Sequence, residues 1–159
     1  LEALQSLFTK ELIFTTDDTT QKEVFTKISK ILLERGLVNK EFTEALMERE
    51  RHYPTGIDLS PVATGLPNAA IPHTEAEFCN GKVIAFVKLK HEIPFKNMIA
   101  PDQEIDVKYL FFIINHEKSN QSQVLSDLMA IMTNEERMRA LETSTSKDEI
   151  YHVLKKECF

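Results

Sequence analysis

No apolar run in this 159-residue chain approaches the roughly 18 residues that a membrane-spanning helix requires, so direct membrane insertion is not expected. The opening Leu1-Glu2-Ala3 lacks the basic-then-apolar pattern of a secretory signal and lacks an initiator methionine; it reads as a processed, trimmed or tag-derived start. Cysteine is scarce. Cys79 and Cys158 are the two present, they match no metal-binding spacing, and a chain of this size does not need a disulfide. Free thiols in a reducing, cytoplasmic compartment are the expectation. Positive charge is also in deficit. The 19 Lys and Arg against 25 Asp and Glu leave a net charge of −6, with no basic cluster. A nucleic acid needs a concentrated positive face, so that partner is excluded. Glycine-rich phosphate loops and metal motifs are likewise missing, and neither a cofactor nor a metal is expected.

What is present describes a globular domain. Hydrophobic residues make up 42% of the chain and charged residues 28%, enough for a core of its own, and one domain over residues 1–159 is predicted. Residues 11–15 hold Leu12, Ile13 and Phe14, a short strand. Asp17, Asp18, Thr19 and Thr20 then offer N-caps for a helix whose Val24, Ile28, Ile31 and Leu32 recur at helical spacing. Gly36 is its C-terminal cap. A second helix begins after Asn39, turns Phe42, Ala45 and Leu46 inward, and ends before Pro54. Residues 82–89 alternate and form a strand, and the continuous apolar run over 107–114 suits a central strand buried on both faces. Helices follow over 121–132, 134–141 and 147–156, the last two with Asn134 and Ser146 as caps. Helices before and after a strand-rich middle predict an α/β layered domain.

Residues 54–72 hold Pro54, Pro61, Pro67 and Pro72 with Gly56 and Gly65. Only a short strand near residues 57–59 is predicted there. A long irregular segment of this kind commonly carries function. It ends in Ala70-Ile71-Pro72-His73-Thr74. Proline fixes its own φ and extends the residue before it, which holds His73 at a strand or loop edge. An imidazole presented there can be a nucleophile, a base or a metal ligand, and a lone histidine is more often structural. The residues alone do not choose.

Glu48-Arg49-Glu50, then Tyr53-Pro54-Thr55-Gly56, then Ala70-Ile71-Pro72-His73, in that order and spacing, resemble the fructose/mannitol-type (type 2) enzyme IIA of the bacterial phosphoenolpyruvate-dependent sugar phosphotransferase system. The resemblance covers nearly the whole chain. It implies a mixed, mostly parallel sheet with helices on both faces. It implies that His73 accepts a phosphoryl group from the phosphocarrier protein HPr and passes it to an enzyme IIB, usually to a cysteine there. The sugar is phosphorylated later, during uptake through the membrane enzyme IIC. Two departures stand out. Many members carry glycine where Thr74 stands, and many carry a second histidine where Gln121 stands. Gln121, together with the Tyr-Pro-Thr-Gly-Ile run, looks like the galactitol-type branch.

Phosphoryl transfer needs an in-line nucleophile and stabilised oxygens, and a neutral imidazole is nucleophilic at neutral pH. The resemblance makes His73 the phosphoryl carrier. Arg49 either forks onto phosphoryl oxygens or is a helix-surface charge paired with a carboxylate. Glu50 orients a cation or imidazole, or is simply solvated. Thr55 and Thr74 bond phosphate or cap turns. Gln121 donates a neutral hydrogen bond or is an ordinary polar residue at a helix start. His52, His91, His116 and His152 are not expected in the site. Pro61, Val62, Leu66 and Ile71 form an apolar rim for protein partners, or belong to the core. Two further classes compete: a regulatory interaction module governed by histidine phosphorylation, and a metal-dependent hydrolase using His73 with His52, His91 or His116.

Overall fold

The computed structural model describes residues 3–157; Leu1, Glu2, Cys158 and Phe159 lie outside the described residues. After a single 3-10 turn at Leu4–Leu7, the order is β1 (Phe8–Thr16), α1 (Gln21–Glu34), α2 (Phe42–His52), β2 (Gly56–Ile57), β3 (Asn68–Ala70), β4 (Lys82–Lys96), β5 (Glu104–Asn115), α3 (Gln121–Met132), α4 (Glu135–Thr143) and α5 (Lys147–Lys155). The helix boundaries follow from capping chemistry. Thr20 accepts from the Glu23 N–H while the Glu23 side chain reaches back, a capping box. Asn134 and Ser146 accept from the Arg137 and Glu149 N–H groups. Gly36, at φ 72°, takes the left-handed position after α1.

The strands form one sheet in the order β1-β4-β5-β3-β2, with β5 central as its apolar run predicts. The α/β class holds, but the sheet is not mostly parallel: β1/β4 and β3/β5 are parallel, whereas β4/β5 and β2/β3 are antiparallel. The reason is the length of β4. Lys90-His91-Glu92 and Pro94 read as the end of a strand, yet β4 continues through a bulge between Lys88 and Ile93, with Ile93 and Phe95 buried. Its partner β1 stops opposite Leu89. Beyond that point β4 is an edge, where proline is tolerated. Residues 97–103 then turn the chain straight back, and so short a connection permits only antiparallel pairing. His91 lies in β4.

Each face of the sheet carries its own core. On one, Ile13, Phe86, Phe111 and Ile113 pack with residues of α3, α4 and α5. On the other, Leu12, Val87, Leu110, Phe112 and Ile114 pack with Val24, Phe25 and Ile28 of α1 and Leu46 of α2. Alternate residues of β5 thus serve opposite layers, and each fully buried large side chain contributes about 1.5–3 kcal/mol. At the edge, β2 lies against the end of β4. A Cβ on Gly56 would stand 2.6 Å from the Lys96 carbonyl oxygen, so this approach needs glycine. No helix among the described residues is long and apolar enough to cross a membrane.

Candidate functional site

β3 and β5 run parallel as neighbours, so both end on the same side of the sheet. Crevices beyond the carboxyl ends of such strands are where open α/β sheets bind ligands. Past β3, Ile71-Pro72-His73 stays alongside β5: the Ile113 N–H donates to the Pro72 carbonyl at 3.0 Å, and His73 bridges to Ile113. Past β5, the chain turns through residues 116–120 into α3. Between these two exits lies a cavity of about 360 Å³, lined by Arg49, His73, Thr74, Glu75, Lys118 and Gln121 among others.

His73 is 7% exposed, and its ring is fixed from behind. Nδ1 lies 2.7 Å from the Ile71 carbonyl oxygen. A carbonyl only accepts, so Nδ1 carries the proton and Nε2 keeps the lone pair. Burial, with the Arg49 charge added, pushes the His73 pKa below the ordinary histidine value, against the opposing Ile71 hydrogen bond and Glu75 charge. The ring is therefore neutral at neutral pH.

The carbonyl that holds His73 is itself anchored. The Ile71 N–H donates to the Thr55 carbonyl at 3.3 Å. The Thr55 N–H and hydroxyl donate to the two oxygens of Glu50, each at 2.8 Å. Glu50 is 6% exposed, and burial raises its pKa to about 7 against the pull of the Thr55 bonds and Arg49. Neither Glu50 nor Thr55 lines the His73 cavity; Glu50 faces a separate depression with Gln21, Arg51 and Lys96. Both reach His73 only through this chain of bonds.

Arg49 comes from the last turn of α2. Its guanidinium pairs with Glu75 at 3.5 Å and stacks 5.1 Å over the Tyr53 ring. Its buried Nε has no hydrogen-bond partner. Thr74 lines the cavity, but its hydroxyl donates to the Glu75 carbonyl at 3.0 Å and lies 3.6 Å from Cys79 Sγ. Gln121 opens α3 and accepts from Asn115 Nδ2 at 2.8 Å. Asn115, Lys118 and Glu75 were not singled out from the sequence. Lys118 brings a second cation to the cavity. The four proposed rim residues do not line it: Leu66 and Ile71 are core, Val62 packs against that core, and Pro61 is exposed elsewhere. Ala76 and Leu125 are the apolar side chains at the cavity. His91, His116 and His152 do not line it, and His52 pairs with Glu48 at 2.8 Å in a neighbouring depression. Among the described residues no three His, Cys, Asp or Glu side chains gather as a metal site.

Residues 6–157 match the family described as phosphoenolpyruvate-dependent sugar phosphotransferase system, EIIA 2. The chain belongs to this EIIA family. A galactitol-specific EIIA component of the phosphotransferase system from Escherichia coli K12 is 27% identical over 123 residues, 77% of this chain and 78% of that protein. Among solved structures, the mannitol enzyme IIA of Escherichia coli, in complex with phosphorylated enzyme IIB, superposes with a TM-score of 0.73 at 20% identity, over 92% of this chain and 96% of that one. The nitrogen regulatory protein IIA-Ntr of Neisseria meningitidis gives 0.71 at 22% identity, over 95% and 98%. These two share the EIIA fold. The regulatory relative shows that the fold serves more than one purpose, so function rests on the site.

Proposed function

We propose that this EIIA protein carries a phosphoryl group on Nε2 of His73, taken from phospho-HPr and passed to a cysteine or histidine of an enzyme IIB in the cytoplasm. The observation that carries the reading is the 2.7 Å contact between His73 Nδ1 and the Ile71 carbonyl. In the forward step the donor's P–N bond breaks as Nε2 bonds to phosphorus, and no proton need leave Nδ1. The ring then gains positive charge, which the Ile71 carbonyl stabilises by accepting a charge-assisted bond. That same charge keeps the new P–N bond easy to break, as a relay requires.

Arg49 and Lys118 balance the charge of the phosphoryl oxygens, and the first N–H groups of α3, uncapped by the Asn120 side chain, favour an anion at that end of the cavity. Gln121 donates from its amide. Thr74 forms the wall behind the phosphoryl group, while Glu50 and Thr55 position the imidazole. The galactitol-specific relative favours galactitol as the transported sugar, with specificity residing in the membrane enzyme IIC, and favours transport over a regulatory role. The test is incubation with phosphoenolpyruvate, enzyme I and HPr, followed by a chase with the galactitol enzyme IIB. Intact mass gains one acid-labile phosphate, absent in His73→Ala, and the chase removes it. A phosphate that forms but never moves to any sugar-specific enzyme IIB supports the regulatory module instead.

A further inference from the structure

A side-chain amide has one donating and one accepting end, so it serves an anion only when something fixes which end points inward. Gln121 faces that problem in the His73 cavity, and residue 115 resolves it. Asn115 closes β5 and is 1% exposed. Its Oδ1 accepts from the Glu117 backbone N–H at 3.0 Å. A backbone N–H only donates, so the Asn115 amide has a single orientation, with Nδ2 turned the other way. Nδ2 then donates to Asn120 Oδ1 at 3.1 Å and to Gln121 Oε1 at 2.8 Å. The Gln121 oxygen is thereby held against Asn115. Its Nε2 has no protein partner among the described residues, on a side chain that lines the cavity with His73.

We propose that Asn115 is a positioning residue whose amide sets the direction of the Gln121 amide, so that Gln121 offers N–H donors to the phosphoryl group on His73. The inference rests on the phosphocarrier reading. It also explains why a polar side chain is buried directly after the apolar run that ends β5: the backbone donor at Glu117 is the reference, Asn115 transmits it, and Gln121 presents the result. With the amide reversed, an oxygen would face phosphoryl oxygens, and one donor to the developing charge would be lost.

The test is a double-mutant cycle on the full chain. Asn115→Asp keeps the shape but can only accept when ionised, and turns the Gln121 N–H2 group towards itself. Phosphoryl acceptance from phospho-HPr is expected to fall about tenfold in kcat with KM within about twofold, the signature of a donor that matters in the transition state. In a Gln121→Ala background the same substitution is expected to change kcat less than about twofold. An equal fall in both backgrounds means that the new charge or altered packing acts directly, and overturns the inference. So does an Asn115→Asp protein that works like wild type. Should that variant not fold, the wild-type side-chain amide signals decide by NMR: phosphorylation shifts the Gln121 N–H2 pair, and an unmoved pair overturns the inference. A wild-type protein that takes no phosphate overturns the phosphocarrier reading itself; a phosphorylated wild type with a flat cycle overturns the Asn115 assignment alone.

Discussion

The two walls of the His73 cavity are built on different principles. The wall from α2 and the β3 exit fixes an imidazole by backbone: the Ile71 carbonyl holds His73, the Thr55 carbonyl accepts from the Ile71 N–H, and the buried Glu50 carboxyl holds Thr55. The wall from the β5 exit and α3 uses side chains: the Asn115–Gln121 amide pair and the Lys118 ammonium. A backbone-held group has little freedom to lose, which suits a nucleophile that must stand in line. Side-chain donors and cations suit a changing negative charge, because each can be tuned separately. On the phosphocarrier reading, the first wall places the nucleophile and adds the Arg49 charge, and the second supplies the remaining donors to the phosphoryl oxygens.

The largest effect is expected at Arg49, the cation that the first wall contributes. Arg49→Ala is expected to lower kcat/KM for phosphoryl acceptance about 100-fold, as for a preorganised donor removed from developing charge, with thermal stability nearly unchanged; steady-state transfer kinetics and a melting curve check both. Glu50 comes next. A carboxyl whose folded pKa is about 7 retains its proton while the unfolded chain has released it, so its contribution to stability falls as pH rises from about 4.5 to 7. The loss is at most about 3 kcal/mol for a shift of this size. Glu50→Gln does not titrate, and urea unfolding across that window is expected to show a shallower pH dependence than wild type. Thr55→Val removes the hydroxyl bond but leaves the N–H bond, and is expected to cost about 1–3 kcal/mol by leaving a buried carboxylate oxygen short of a donor. It lowers kcat together with stability, which marks the first wall as structural. Lys118→Met, on the more open wall, is expected to weaken transfer by roughly tenfold or less, with the deficit shrinking as salt screens the lost charge. The smallest effect concerns the imidazole itself. Because the His73 pKa lies below the ordinary value, phosphoryl acceptance is expected to stay level as pH falls towards 6.5 and to drop only below it, where Nε2 binds a proton.

The first wall was largely legible in the sequence and the second was not. Arg49, Glu50, Thr55, Thr74 and His73 lie in short motifs whose prolines and glycines mark special backbone, and the helix caps at Thr20, Asn134 and Ser146 carry a local chemical signature. β3 escaped notice because three residues between prolines show no alternation, and its pairing with β5 is wholly tertiary. The full length of β4 was hidden by Lys90-His91-Glu92 and Pro94, which a bulge and an open edge accommodate. Asn115 looks like the end of an apolar run, and Lys118 like a loop charge. Their importance comes from where β5 stops relative to His73, a distance no local pattern encodes. Gln121 was recognisable as a candidate, but the direction of its amide depends on a backbone N–H two residues beyond Asn115.

On the proposed mechanism, Nε2 of His73 accepts the phosphoryl group because the Ile71 carbonyl holds the proton on Nδ1. Its most direct test is NMR of the protein labelled with 15N-histidine, before and after phosphorylation by phospho-HPr. The account predicts a protonated Nδ1 and an unprotonated Nε2 at neutral pH before transfer, and phosphorus coupling at Nε2 of His73 afterwards with Nδ1 still protonated. Coupling at Nδ1, or at any other histidine, would contradict it.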